Sequence, residues 1–259
     1  MNEMKTHKIL WTGGWDSTYR IVELSRMDVQ VQPIYILDED RTSHDRELQC
    51  MERIVAMLKI RPETRAEFTP ILIVKKSDIP ANLEITKAYD IIHEKTHLGT
   101  QHEWLARYAF TNPGLEIGTE AGTPETSHII DALQNFACLV ERDGTFILDP
   151  GTSSREGMLV LGNFEFPIVD KYETQMLQNI RDWGYEDVMQ EIWFCHRPID
   201  GKPCGLCHPC AVKMESDMAW LLPKEAQKRY RFQKRLSKVI GIRYAEAVAK
   251  RIWKRGQIG

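Results

Sequence analysis

The sequence predicts an α/β protein, a doubly wound parallel sheet followed by a cysteine-bearing helical segment. Three observations predict it. Strand-like and helical apolar patterns alternate over the first 80 residues, a glycine pair closes the first strand, and four of the six cysteines fall within 16 residues near the C-terminal end. The chain has 259 residues, 42% hydrophobic and 27% charged, with a formal charge of −3. That balance excludes a disordered chain, a collagen-like chain and a disulfide-dense miniprotein. It also argues against wholesale neutralisation of a nucleic-acid backbone. The length accommodates one large domain and an appendage, with the expected division at residues 1–192 and 193–259, the second packed on the first.

His7 to Thr12 is a short apolar run that stops at Gly13-Gly14. From Asp16 to Met27, Tyr19, Ile21, Val22 and Leu24 recur at helical spacing. Val29 to Leu37 reads as a second strand, ending at Asp38, and Arg46 to Leu58 as an amphipathic helix. Phe68 to Val74 is a third strand, rich in β-branched residues. This rhythm implies parallel strands joined by right-handed crossovers, with ligands beyond the carboxyl ends of the strands. The turn from Thr12 to Thr18 lies at such an end.

Ile85 to Phe110 reads as helix with a break at Gly99, Gly114 to Thr119 as a short strand, Ser127 to Leu139 as helix and Thr145 to Leu148 as strand. Asp149 to Gly162 contains Pro150, Gly151, Gly157 and Gly162, which predicts a mobile loop. Thr174 to Trp183 and Glu186 to Ile192 are short helices. Lys224 to Arg255 is helical and basic.

The first strong motif is Leu10-Trp11-Thr12-Gly13-Gly14-Trp15-Asp16-Ser17-Thr18. Glycines allow conformations that a Cβ forbids and let backbone approach a ligand closely. Backbone N–H groups at a helix start, with the helix dipole, attract phosphate. Ser17 and Thr18 add hydroxyls. Asp16 repels phosphate, so it suits an N-cap or a holder of nucleotide-borne Mg²⁺. The plainer reading is a glycine turn with an N-cap. Asp38, at the end of the second strand, is a candidate magnesium or substrate contact, or a strand-end turn residue.

The second motif is Cys195-x8-Cys204-x2-Cys207-x2-Cys210. Four thiolates suit tetrahedral Zn²⁺ in a closed, structural site, and Pro203, Gly205 and Pro209 provide tight turns. An iron–sulfur cluster also accepts four cysteines. Clustered thiols with no signal-peptide pattern at Met1 to Lys8 suggest a reducing compartment, so a cytoplasmic location is expected. No apolar stretch approaches 18 residues, so no membrane span is expected.

The glycine loop resembles the PP-loop of the ATP pyrophosphatase (adenine nucleotide alpha hydrolase-like) superfamily, Ser-Gly-Gly-x-Asp-Ser, with Thr12 in place of the leading Ser. Loop and cysteine spacing together resemble the 7-cyano-7-deazaguanine synthase family. Three stretches add looser matches: Asp38 to His44, Ile117-Gly118-Thr119-Glu120, and Phe166 to Thr174 with its Asp170-Lys171. The resemblance covers residues 7 to 222. It implies a ligase that uses ATP and Mg²⁺ to adenylate the carboxylate of 7-carboxy-7-deazaguanine and then forms an amide and a nitrile with ammonia, on the route to queuosine. It implies nucleotide contacts at Leu10, Trp11, Thr12, Gly13, Gly14, Asp16, Ser17, Thr18, Asp38 and Gly118. Asp16 and Ser17 would carry catalysis by positioning and charge stabilisation, and Zn²⁺ would sit on the four cysteines.

Two departures qualify it. Where the family has Pro-Gly-Arg-Asn, this chain reads His97-Leu-Gly-Thr-Gln-His-Glu-Trp104, and the Asp149 to Gly162 stretch looks private to it. Relatives in anti-phage defence operons join deazaguanines to other amines, so a protein partner follows if the chain is one of them. A PP-loop RNA-modifying enzyme, a nucleotide-binding subunit and a homodimer stay open.

Two rival signals need a place. His93-Glu94-Lys95-Thr96-His97 is a literal H-E-x-x-H, which would suggest a zinc metalloprotease; His102 lies one position short of the spacing for a third ligand and Glu116 or Glu120 could serve instead, while the plainer reading is polar residues facing solvent or a substrate cleft. The basic tail (Lys224, Lys228, Arg229, Arg231, Lys234, Arg235, Lys238, Lys250, Arg251, Lys254, Arg255) suits RNA or a solvated helix face. Trp220, Tyr230 and Trp253 suit a core or an interface.

Overall fold

The computed structural model describes residues 4–40 and 43–240, with side chains to residue 237. Arg41, Thr42, Lys238 and the tail positions Lys250, Arg251, Trp253, Lys254 and Arg255 lie outside what is described of side chains. The chain divides into two compact units, residues 1–192 and 193–259.

The first unit begins with β1 (Thr6–Leu10), α1 (Trp15–Ser25), β2 (Gln30–Leu37) and α2 (His44–Lys59). Then come β3 (Glu67–Phe68), β4 (Leu72–Lys75), α3 (Leu83–Thr96), α4 (Gln101–Thr111) and β5 (Leu115–Glu116). It continues through α5 (His128–Phe136), β6 (Leu139–Arg142), β7 (Thr145–Leu148), α6 (Arg155–Val160) and β8 (Phe164–Glu165), ending with α7 (Glu173–Trp183) and α8 (Glu186–Met189). The sheet order is β3-β2-β1-β5-β8, with β4 also beside β2, and every pairing is parallel. The chain starts at the centre, builds outward to one edge, then returns to the other side of β1. The reversal makes a topological switch point between β1 and β5, where ligands bind in such sheets.

Successive strand residues face opposite sides of a sheet. Ile34 and Ile36 of β2 join a core with residues of α3, α4, α5 and α6, while Tyr35 between them donates its hydroxyl to Glu47 of α2, 2.7 Å away. Tyr19 of α1 stacks on Trp183 of α7 and accepts from the Asn179 amide. Helices therefore cover both faces, and β2 is buried on both, as an interior parallel strand must be.

The expected third strand is two. Pro70 has no N–H and interrupts the ladder; β3 pairs with Gln30 and Val31, and β4 resumes opposite Ile34. The amide of Gln32 donates to the Pro70 carbonyl at 2.9 Å within that gap. The helix expected to Leu139 ends at Phe136, because Leu139–Arg142 pairs antiparallel with β7. Asp143 (φ 51°) and Gly144 (φ 77°) form the two-residue turn between them.

The mobile loop expected over Asp149 to Gly162 contains a packed helix instead. Ser154 caps α6 by accepting from the Gly157 amide at 2.9 Å and donates to the Phe136 carbonyl. A Cβ on Gly157 would lie 2.1 Å from that carbonyl oxygen, so this glycine serves close packing. Val160 and Leu161 are buried in the core. β8, which the sequence did not suggest, forms the sheet edge beyond β5.

The second unit contains α9 (His208–Glu215) and α10 (Lys224–Ile240). Among the described residues no helix is long and apolar enough to cross a membrane.

Candidate functional site

The glycine loop leaves β1 at the switch point. Leu10 and Trp11 are buried, and the Trp11 amide donates to the Ile34 carbonyl, so the β1–β2 ladder runs up to the loop. Gly13 takes φ +74°, the left-handed region that a side chain strains. Gly14 is the N-cap of α1, and no side chain caps the first turn there. The backbone at the start of α1 thus meets its surroundings through a residue with no side chain. Thr12 is exposed, and Gly14, Asp16 and Ser17 are half-exposed around it. Thr18 is fully buried, and its hydroxyl accepts the Trp11 indole N–H at 2.9 Å. Of the two hydroxyls expected to reach a ligand, only that of Ser17 belongs to a partly exposed side chain; Thr18 braces the loop from behind.

Gly118 follows β5 on the other side of the switch point. A Cβ there would lie 2.8 Å from the Ser17 backbone nitrogen and 2.9 Å from its Cα. The segment after β5 and the first turn of α1 are therefore in backbone contact, and Gly118 is needed for that approach.

A buried ionic group holds this junction, and sequence reasoning missed it. Glu116, the residue that ends β5, accepts from Arg20 of α1 at both oxygens, Nε to Oε2 (2.8 Å) and Nη2 to Oε1 (3.0 Å), and the Nδ1 of His7 of β1 lies 2.5 Å from the same Oε1. Arg20 also donates to Glu23 at 2.6 Å. Burial alone would raise the Glu116 carboxyl, but the bonds from His7 and Arg20 outweigh it and hold it below the usual range. His7, Arg20 and Glu116 are separated by up to 109 residues in sequence, so no local pattern joins them.

Asp38 follows β2, as expected, and pairs with Lys76 just beyond β4 at 2.8 Å. The two line a cleft of about 450 Å³ with Gly99, Thr100, Gln101 and Trp104 from the α3–α4 connection. The stretch that departs from the resembled family is thus a wall of the cleft beside Asp38. Lys76 was not anticipated; its only sequence signal is its place at the end of the third strand.

The H-E-x-x-H stretch does not form a metal centre. His97 is the left-handed C-cap of α3 (φ 56°), outside the helix interior that the motif requires. His93 Nδ1 lies 2.6 Å from the Leu98 carbonyl, and buried His102 lies 3.0 Å from the Gly99 carbonyl. Glu116 is occupied by Arg20 and His7. Among the described residues no group of three or more potential ligands includes His93 or His97, so the structure does not support a metalloprotease.

Among the described residues, one group of three or more His, Cys, Asp or Glu could hold a metal: Cys195, Cys204, Cys207 and Cys210, with all sulfurs within 4.8 Å of one another. Cys195–Cys207 and Cys204–Cys210 are each 3.9 Å apart. A single tetrahedral ion with bonds of about 2.3 Å gives sulfur–sulfur edges of about 3.8 Å, which these distances fit. In a four-iron cube each thiolate lies outside its own iron, which holds the sulfurs further apart. The amides of Cys204, Leu206 and Cys207 point at cysteine sulfurs at 3.2 to 3.3 Å, as suits thiolate acceptors. Arg229 of α10 is buried and donates to the carbonyls of Cys204 (2.8 Å) and Pro203 (3.3 Å). Two tail residues expected at a solvated or RNA-facing surface are engaged within this unit: Arg229 here, and Lys234 with Glu215 at 2.8 Å.

No protein-family model matches the chain, and no curated protein matches it. Among solved structures it is similar to the U34-tRNA thiolase NcsA from Methanococcus maripaludis with its 4Fe–4S cluster, at 12% identity and a TM-score of 0.42, over 98% of this chain and 73% of that one.

Proposed function

We propose that this chain is an ATP-dependent ligase of the 7-cyano-7-deazaguanine synthase kind, which adenylates the carboxylate of a 7-deazaguanine and passes the acyl group to an amine. The observation that carries the reading is the Gly13-Gly14 loop at the switch point, with Gly118 seated against the backbone of Ser17. The loop offers backbone N–H groups and the positive end of α1 to a pyrophosphate. Ser17 adds a hydroxyl. Asp16, half-exposed on the first turn, suits the magnesium that accompanies ATP. Asp38 and Lys76 offer one acceptor and one cation in the adjacent cleft.

With the pyrophosphate gripped, the α-phosphorus is left open to a carboxylate oxygen of the substrate. That oxygen forms the new P–O bond, the bond to pyrophosphate breaks, and an acyl-adenylate results. An amine nitrogen then attacks the carbonyl carbon, AMP leaves, and the nitrogen gives up a proton. No side chain needs to act as nucleophile, so the chain's contribution is position and charge stabilisation at phosphorus. Zn²⁺ on the four cysteines would be structural, its coordination shell closed by sulfur.

The test is incubation with ATP, 7-carboxy-7-deazaguanine and ammonium, followed by mass spectrometry. Nitrile or amide with AMP and pyrophosphate supports the reading. An adenylate that ammonium does not discharge points to a different acceptor amine. Absence of AMP and pyrophosphate at saturating substrates overturns it.

A further inference from the structure

A second cleft, of about 430 Å³, lies across the switch point from Asp38 and has no role yet. One wall is α5, through Ile130 and Leu133; another is the β6–β7 hairpin, through Leu139 and Phe146. The hairpin is not part of the main sheet, yet the Phe166 amide, just past β8, donates to the Phe146 carbonyl at 2.8 Å and ties it there. The floor is made by the segments after β5 and β8, joined by the Ala121 amide donating to the Lys171 carbonyl at 2.9 Å. Polar groups occur where Gln134, Asp170 and Tyr172 line it. Apolar walls with few polar groups, at this volume, are the usual form of a small-molecule site.

Its position relative to the glycine loop is bounded by the chain. Ala121 lines the cleft three residues after Gly118, so their Cα atoms are at most about 11 Å apart, and Gly118 touches Ser17. A flat molecule in the cleft can therefore present an acid group towards the loop from its near end.

Asp170 supplies the selectivity. Its carboxylate is exposed, and the Lys171 ammonium lies 3.8 Å from it. A carboxylate accepts two parallel N–H bonds, which matches a ring N–H beside an exocyclic amine. The Gln134 amide can pair with a ring carbonyl or N–H. We propose that this cleft is the acyl-substrate pocket, taking a flat, fused heteroaromatic carboxylic acid whose N–H/NH₂ edge is read by Asp170. The inference rests on the adenylation reading above and adds where, and by which group, the acid is recognised.

The test uses Asp170→Asn, a surface change that leaves the core intact, with 7-carboxy-7-deazaguanine and its analogue lacking the 2-amino group as probes. Affinities are measured by calorimetry in the presence of a nonhydrolysable ATP analogue, whose own affinity is measured first. Wild type should prefer the amino compound about tenfold or more. Asp170→Asn should lose that preference while binding the ATP analogue as wild type does. Gln134→Ala should weaken both probes together. An unchanged preference in Asp170→Asn overturns the pocket assignment and leaves the adenylation reading standing, whereas no binding of either probe to a wild-type protein that binds the ATP analogue overturns both. Failure of wild type to bind the ATP analogue overturns both.

Discussion

Gly118 and Ser17, 101 residues apart in the chain, are in backbone contact: a Cβ on Gly118 would stand 2.8 Å from the Ser17 nitrogen. The atoms it would meet belong to the first turn of α1, which cannot rotate aside as a flexible side chain would. Gly118→Ala must therefore push the start of α1 away from β5, and overpacking of this sort costs about 1–3 kcal/mol. The expected result is a fall in affinity for a nonhydrolysable ATP analogue of about tenfold or more, with the chain still folded by circular dichroism. Wild-type affinity in that variant would show that the loop's position does not govern nucleotide binding.

Glu116 is the anion on which Arg20 and His7 both converge. Removing one member of a buried ion pair leaves the others uncompensated and costs about 3–5 kcal/mol. Glu116→Gln should lower the denaturant midpoint accordingly. The pH dependence has a definite sign. Because the folded carboxyl titrates below its ordinary value of 4.5, its contribution is present above pH 4.5 and is lost as the pH falls through the lower folded value. Unfolding curves from pH 3 to 7 should show this acid-side slope in wild type and a shallower one in Glu116→Gln. Equal slopes would mean that the group does not carry the stability assigned to it.

The cysteine quartet makes a stoichiometric prediction. Metal analysis should find one zinc per chain, and Cys204→Ser should abolish it. Arg229 acts one step back, holding the Cys204 carbonyl. Outer partners of this kind typically change metal affinity by about 10- to 100-fold. Arg229→Met should therefore release zinc to a competing chelator at lower chelator concentration, while binding of the ATP analogue by a metal-loaded sample stays unchanged. Four irons and inorganic sulfide per chain would refute the single-ion geometry.

The amino-acid pattern made the alternation of β1, α1, β2 and α2 legible because each element carries its own period and stops at its own turn residues. It failed where a feature depends on something distant. Pro70 divides a strand whose apolar run is continuous, because the missing N–H matters only once β2 lies alongside. The Asp143-Gly144 turn is a local hairpin signal, yet only pairing with β7 places Leu139, expected to end the helix, at the start of β6. Gly157 and Gly162 suggested mobility, yet Gly157 is small because the Phe136 carbonyl occupies the space. Thr18 looks like a ligand hydroxyl by its neighbours and is a buried acceptor by its partner, Trp11.

By itself the sequence determined the two contiguous motifs. A glycine turn before a helix and four thiols in a tight spacing act through backbone and side chains only a few residues apart, and local chemistry needs no fold to be recognised. The tertiary structure decided everything that requires two distant segments to meet: Gly118 on Ser17, Arg20 and His7 on Glu116, Lys76 on Asp38, and the hairpin that walls the second cleft. Which residues meet is set by burial of whole sheet faces and helix stripes, a property of the assembled layers that no single stretch of chain carries.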